Sequence, residues 1–232
     1  MTKLISFFIP IRKGSKRVKN KNLKKLPGYK HGLTELKINH LQKFRKLVKK
    51  FAKNEFEYVI STDDKHVIKF LKKFEWIKIH RRSKKLAADD SLDELIRIVP
   101  KICSGHYILW THVTSPFFNH EDYFSFIKFF LKEKNNSAFS ADILQKFIFS
   151  KKKWISHNRK KRKWPRTQDL NPMYVANSAS FIANRKVYLK NLDRICENPL
   201  PIKTKNLRGM DIDDMNDFRK LEKILNNAKK NI

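Results

Sequence analysis

Short apolar runs of strand length alternate with longer amphipathic stretches along nearly the whole chain. That rhythm constrains the fold more than any other feature, because it is what the strands and crossover helices of a mostly parallel sheet require. Leu4 to Ile11 is the first such run and reads as a buried strand. A loop rich in Lys and Arg follows, and then Leu36, Leu41, Phe44, Val48 and Phe51 recur at spacings close to one helical face. Phe56 to Ser61 predicts a second strand, Asp64 to Phe74 a helix, and Trp76 to His80 a third strand. Ser91, with Glu94 three residues on, makes a capping-box pattern ahead of Leu95, Ile98, Val99 and Ile102, so a helix is predicted to begin there. His106 to Val113 is the next strand, Glu121 to Lys132 an aromatic helix, and Ser137 to Leu144 and Ser178 to Ala183 further strands. The closing helix starts at about Asp214 and places Phe218, Leu221, Ile224 and Leu225 on one face.

One stretch breaks the rhythm. From Lys146 to Trp164, Phe147-Ile148-Phe149 and Trp154-Ile155 are separated and followed by runs of Lys and Arg, which predicts a projecting hairpin. No internal repeat and no long linker divides the chain, and 232 residues with 41% apolar content suffice for one core without disulfides or metals. A single domain, 1–232, is expected, with a small arm at about 146–176. Cys103 and Cys196 stand far apart without neighbouring metal ligands, so both are expected to be buried thiols in a reducing cytoplasm. Leu4 to Ile11 is too short to span a bilayer and lacks a small-residue cleavage site, so neither export nor a membrane partner is expected.

The formal charge of +31 raises nucleic acid as a partner. Lysine is spread over nearly every segment, however, which marks a bias of the whole chain more than one shaped binding face. A field of this sign would also draw in a polyanionic small substrate.

The most informative segment is Ile9-Pro10-Ile11-Arg12-Lys13-Gly14-Ser15-Lys16-Arg17, followed by Lys21-Asn22. It begins where a strand ends, and ligands of open parallel sheets bind at the carboxyl ends of strands. Gly14 allows close backbone approach, exposed amides can cradle oxyanions, and Arg12, Lys16 and Lys21 add cations suited to a triphosphate. An exposed basic turn would carry the same residues. Near the other end, Asp211 and Asp213 sit two apart on an extended segment, where their carboxylates can point to one side and hold a divalent cation. The plainer alternative leaves both solvated, with Asp214 capping the helix.

The segment from Ile9 to Asn22 resembles the opening of the acylneuraminate cytidylyltransferase family, a strand followed by Ile-Pro-Ala-Arg-x-Gly-Ser-Lys and then Lys-Asn. Arg82 with Leu86-Ala87-Ala88-Asp89, Thr114-Ser115-Pro116, Arg166-Thr167-Gln168-Asp169-Leu170 with Tyr174-x-x-Asn177, and Asp211-Ile212-Asp213 resemble later family blocks, in the family's order. The resemblance implies a three-layer α/β/α, Rossmann-like nucleotidyltransferase fold with a mostly parallel sheet and a small protruding dimerisation arm. The activity it implies is transfer of CMP from CTP to the anomeric hydroxyl of a sialic-acid-like nine-carbon 2-keto sugar acid, with release of pyrophosphate and use of magnesium, in the cytoplasm and for cell-surface polysaccharide synthesis. It gives Arg12, Gly14, Ser15, Lys16 and Lys21 to the triphosphate, Asn22 and Arg82 to the ribose and cytosine end, and His112, Gln168 and Asn177 to the sugar. Magnesium falls to Asp211 and Asp213, with Arg12, Lys21 and Asp211 expected to be catalytic.

Departures from the pattern cluster on the sugar side. His112-Val113 replaces the family's Gln-Pro, Ser83 its proline, Thr167 a common second arginine, and Ser178 the glycine of Asn-Gly-Ala. The acceptor is therefore less defined than the nucleotide. An eight-carbon sugar acid is the nearest alternative, against which the Lys21-Asn22 pair argues. A nucleic-acid-binding protein using Lys151 to Trp164 would account for the charge and leave the five ordered blocks unexplained.

Overall fold

The structure is a computed structural model that describes residues 3–51, 55–88 and 92–230. Strands β1 (Leu4–Ile11), β2 (Glu55–Thr62), β3 (Lys78–Arg81), β4 (Tyr107–Thr111), β5 (Ser137–Leu144), β8 (Met173–Asn184) and β9 (Leu200–Lys203) form one sheet in the order β3-β2-β1-β4-β8-β5-β9. Strand β8 is antiparallel to both of its neighbours, and every other pairing is parallel. The remaining strands, β6 (Phe149–Ser150) and β7 (Lys153–Trp154), form a separate hairpin.

Seven helices cover the sheet: α1 (Gly32–Phe51), α2 (Lys65–Leu71), α3 (Lys84–Ala88), α4 (Asp93–Ile102), α5 (His120–Glu133), α6 (Arg185–Asn191) and α7 (Met215–Lys230) among the described residues. Side chains of a strand alternate between faces, so Ile5, Phe7, Ile9 and Ile11 of β1 enter one core with α1, α2, α5 and α7, while Phe8 enters a second with α4 and α6. Three layers result, as expected. The first core is strongly aromatic: Phe7 stacks on Tyr58 with ring centroids 5.2 Å apart and meets Phe44 at 5.1 Å. Cutting Phe44 back to alanine should cost about 3–5 kcal/mol.

The expected strands and helices form, with shifted ends. Helix α2 stops at Leu71 because Phe74 N–H bonds back to Leu71 O in a turn, which delays β3 to Lys78. Strand β8 starts five residues before the predicted Ser178, at Met173. Helix α6 and strand β9 were not foreseen; α6 is short and capped by Asn184, and β9 carries Pro201, which only an edge strand tolerates. Ser91 and Asp89 lie outside the described residues, and the N-cap of α4 is Leu92, without a side-chain cap. Cys103 is buried as expected, whereas Cys196 is partly exposed, beside the Ser137 hydroxyl at 3.1 Å, because it precedes an edge strand. No described helix is long and apolar enough to cross a membrane.

The interrupted stretch folds as a hairpin around its own ring cluster. Phe147 meets Trp164 at 5.3 Å and His157 at 5.3 Å, and Trp154 meets Trp164 at 5.4 Å. Beneath them Ser156 is buried and its Oγ accepts a hydrogen bond from Ile148 N–H at 3.0 Å.

Candidate active site

The long basic loop after β1 is held down at both shoulders by apolar anchors, since Val18 and Leu26 are each only 1% exposed. Between them the chain turns at Asn20, whose φ of 55° lies in the left-handed region that asparagine tolerates. Asn22 then buttons the loop to its surroundings: Nδ2 donates to Arg12 O at 3.0 Å, and its carbonyl accepts from Thr34 N–H and Oγ at 3.0 and 2.8 Å. The tip is tied to the end of β2 by Lys13 N–H donating to Asp63 Oδ1 at 2.9 Å. Gly14 has φ of 82° and open space where a Cβ would stand, so its backbone geometry, with no crowding, calls for glycine. A cleft of about 290 Å³ opens at the carboxyl ends of β1 and β4, lined by Arg12, Ser15, Lys16, Lys21, Asn22 and His112 among others.

The Asp211-Ile212-Asp213 segment, nearly 190 residues away in sequence, docks onto this loop. Ile212 is fully buried, and its N–H donates to Thr114 O at 2.8 Å, which pins the segment to the end of β4. Lys21 Nζ donates to Ile212 O at 2.5 Å, and Arg17 Nη2 pairs with Asp213 Oδ1 at 2.6 Å. Burial lowers the Lys21 pKa, opposed by the charges of Asp211 and Asp213. Helix capping falls to Asp214, whose Oδ1 accepts from Asn216 and Asp217 N–H at 2.8 and 3.0 Å, so neither Asp211 nor Asp213 is needed for it.

Asp211 Oδ1 is buried and lacks any hydrogen-bond partner. An orphaned carboxylate oxygen in this position calls for a cation. Among the described residues no group of three or more His, Cys, Asp or Glu gathers as a complete metal cage. Two carboxylates do fit magnesium, which takes one or two from a protein and fills its other positions with phosphate oxygens and water.

Lys37 was not singled out from sequence and lies directly beneath. It is 1% exposed, and Nζ donates to Ser115 O at 2.9 Å, Phe118 O at 3.3 Å and Tyr123 Oη at 2.8 Å. Burial draws its pKa down to about 7, against the pull of Asp122 and Asp211. Those bonds brace the Thr114-Ser115-Pro116 turn that holds the carboxylates. Only its place on the buried face of α1, a lysine between Leu36 and Ile38, hinted at this in the sequence.

Of the two adjacent arginines, Arg81 is exposed and Arg82 turns inward at 8% exposure. Arg82 donates to the Ser61 carbonyl at 3.1 Å and hydroxyl at 3.3 Å. Burial lowers its pKa, with Asp63 opposing and Arg12 reinforcing the shift, which puts it within electrostatic reach of the loop.

The residues assigned to the acceptor are more scattered. His112 lines the cleft. Asn177 lies in the bulge where β8 slips against β5: its Oδ1 accepts from Ser140 Oγ at 2.6 Å, and Nδ2 donates to Thr204 Oγ1 at 3.1 Å. Gly209 packs so tightly on that bulge that a Cβ would stand 2.3 Å from Asn177 Nδ2, and Asn177 is not among the residues that line the cleft. Gln168 is exposed on a short turn, Thr167–Asp169, and is not brought to the cleft.

Comparisons with known proteins agree with this geometry. No curated protein matches the chain significantly in sequence. Among solved structures, the chain is similar to the one described as CMP:2-keto-3-deoxy-manno-octonic acid synthetase complexed with CTP, at TM-score 0.61 and 15% identity, covering all of both chains. It is also similar to 4-diphosphocytidyl-2C-methyl-D-erythritol synthase from Anaerococcus prevotii, at TM-score 0.64 and 15% identity over 97% of this chain and 96% of that one. HddC from Yersinia pseudotuberculosis is similar at TM-score 0.56 and 12% identity, over 96% of this chain and all of that one. At such identities these likenesses establish the fold. The cytidylyltransferase family profile, in contrast, matches residues 6–225, and the chain therefore belongs to the cytidylyltransferase family and is a CTP-dependent nucleotidyltransferase.

Proposed function

We propose that the protein transfers CMP from CTP to the anomeric hydroxyl of a sialic-acid-like nine-carbon 2-keto sugar acid. The observation that carries this reading is the convergence of the basic loop, Lys21-Asn22 included, with the Asp211-Ile212-Asp213 segment at one cleft. Arg12, Ser15, Lys16 and Lys21 are suited to the phosphates, with the left-handed turn at Gly14 opening the loop backbone to them. Asn22, which locks the loop, and Arg82, just past the end of β3 and bonded to Ser61 of β2, fit the ribose and cytosine end. His112, which lines the cleft, fits the acceptor, and Asn177 would act indirectly, by holding the β5–β8 bulge through its bond to Ser140.

In the reaction the anomeric oxygen bonds to the α-phosphorus as the bond to the β-phosphate oxygen breaks. The hydroxyl proton passes to solvent water and pyrophosphate departs. The loop cations hold the leaving group's charge and fix it in line with the attacking oxygen, so the rate gain comes from positioning and electrostatics. Asp211 and Asp213 would hold magnesium, which when bound supplies positive charge to the phosphate oxygens. We further propose that the arm pairs with a second copy, a reading supported by Phe149, Ile155 and Trp164, which are 55%, 47% and 59% exposed.

An eight-carbon acceptor is the second reading, favoured by likeness along the full chain to the octonic acid synthetase. Incubation with CTP, magnesium and a panel of eight- and nine-carbon 2-keto sugar acids, read by pyrophosphate release, separates the two. Release with eight-carbon acids alone removes the nine-carbon reading, and release with none removes both.

A further inference from the structure

Trp110, in β4, is fully buried, and its indole N–H can only donate. A buried indole N–H requires an acceptor, and this one donates to His112 Nε2 at 2.9 Å. A nitrogen that accepts carries no proton, so in the neutral ring the proton is on Nδ1. Protonating Nε2 would set two N–H groups face to face and strand the indole. Surrounding charge acts in the same direction: Arg194 lies over the Phe181 ring at 3.8 Å and the Trp110 ring at 5.3 Å. Burial, with Arg194, Lys37 and Lys21, holds the His112 pKa down to about 3.

The other edge of the ring has a different setting. His112 lines the cleft, and among the described residues its Nδ1 has no hydrogen-bond partner. We infer that His112 is a fixed, uncharged hydrogen-bond donor, through Nδ1, to an oxygen of the acceptor substrate such as its carboxylate or a hydroxyl, and that Trp110 sets this form. The inference deepens the CMP-transfer reading and rests on it for the identity of the ligand. Its consequences are specific. His112 cannot be the base that removes the proton of the attacking hydroxyl, because its accepting nitrogen is already used. The site selects for an oxygen acceptor at this point and against an ammonium group.

Two measurements test it. Two-bond nitrogen–proton correlation spectra of the 15N-labelled protein report the tautomer directly, and the Nδ1–H pattern is expected for His112 from pH 6 to 8. An Nε2–H pattern or a doubly protonated ring overturns the inference. In Trp110→Phe the ring is expected to show mixed tautomers and to titrate at higher pH; a folded variant with an unchanged ring removes Trp110 from the argument, and the wild-type spectrum stands if the variant does not fold. In turnover assays, His112→Phe keeps a ring without a donor and should raise the acceptor KM about tenfold or more, the scale of one lost hydrogen bond to a charged group. The KM for CTP should move much less, and His112→Asn, with an amide N–H near the Nδ1 position, should recover most of the loss. Equal changes in both KM values, or no recovery, overturn the donor role. If no sugar acid gives pyrophosphate release with the wild type, the CMP-transfer reading fails, while the spectrum still decides whether His112 is the fixed donor.

Discussion

Two segments of this chain carry the same number of positive charges and come to opposite ends. Residues 12–31 and residues 151–166 each contain nine Lys or Arg and no acidic residue. In the arm all nine are exposed, whereas in the loop Arg12 and Lys21 are half-buried. Loop cations also meet carboxylates from a distant segment, Arg17 at Asp213 and Lys21 beside Asp211 and Asp213. The nearest acid of the arm is its own Asp169, 3.3 Å from Arg166 and 3.5 Å from Arg162. Charge count therefore carries little information here. Partial burial of a cation against a long-range carboxylate, over a strand's carboxyl end, is what separates a site from a solvated face.

The comparison breaks first at the carboxylates. Asp211→Asn and Asp213→Asn should each lower turnover about 100-fold or more, the scale of losing a main electrostatic group at a reacting centre, with the magnesium requirement displaced upward and the fold intact by circular dichroism. Near-normal rates at low magnesium, or outright unfolding, would return these residues to a structural role. Arg12→Ala and Lys21→Ala should weaken CTP binding by roughly 1.5–3 kcal/mol each, as for charged hydrogen bonds, and CMP binding far less. Equal losses for both nucleotides in calorimetric titrations would take these cations off the outer phosphates.

A third test uses acid, because two partly buried histidines lie among cations. His112 and His40 both have pKa values drawn from 6.5 to about 3, first by burial and then by neighbouring positive charge. Both rings are neutral in the fold, so below pH 6.5 the unfolded chain binds protons that the folded chain refuses. Stability present at neutral pH is then lost as pH falls toward 3, by up to about 1.4 kcal/mol per pH unit for each ring. Urea unfolding at pH 7, 6 and 5 should show the loss, and a flat profile would contradict it. The smallest effect belongs to the arm: the triple variant Lys151→Gln, Lys152→Gln, Lys153→Gln should leave the CTP affinity unchanged and stability within about 0.5 kcal/mol. A weakened CTP affinity would erase the distinction between the segments.

The sheet-and-helix rhythm was legible because β1 and β4 are apolar along almost their whole length, as strands covered on both faces are, and longer amphipathic stretches separate the strand-length runs. The loop and the paired aspartates were legible because their residue types stand close together in sequence. Lys37 and the Trp110–His112 bond were not, since a lysine within an amphipathic helix reads as solvated and a strand tryptophan reads as core. Their roles come from contacts such as Lys37 to Ser115, 78 residues apart, which no local pattern encodes. Cys196 and β9 were misread or missed for a related reason, because the sheet's edge relaxes the rules that its centre obeys.

The reversed strand β8 has a consequence for assembly. It is wedged between β4 and β5, two parallel strands that have no pairing with each other and are joined through it. Until residues 173–184 are in place, the half sheet β3-β2-β1-β4 ends in an open, apolar edge, and β5 has no partner on that side. A nascent chain halted before that point presents two unsatisfied edges to its neighbours, the condition under which strands pair between molecules. β8 acts as the seam between the two parts of the sheet, and slowing its insertion should favour aggregation of chains whose first half is already folded.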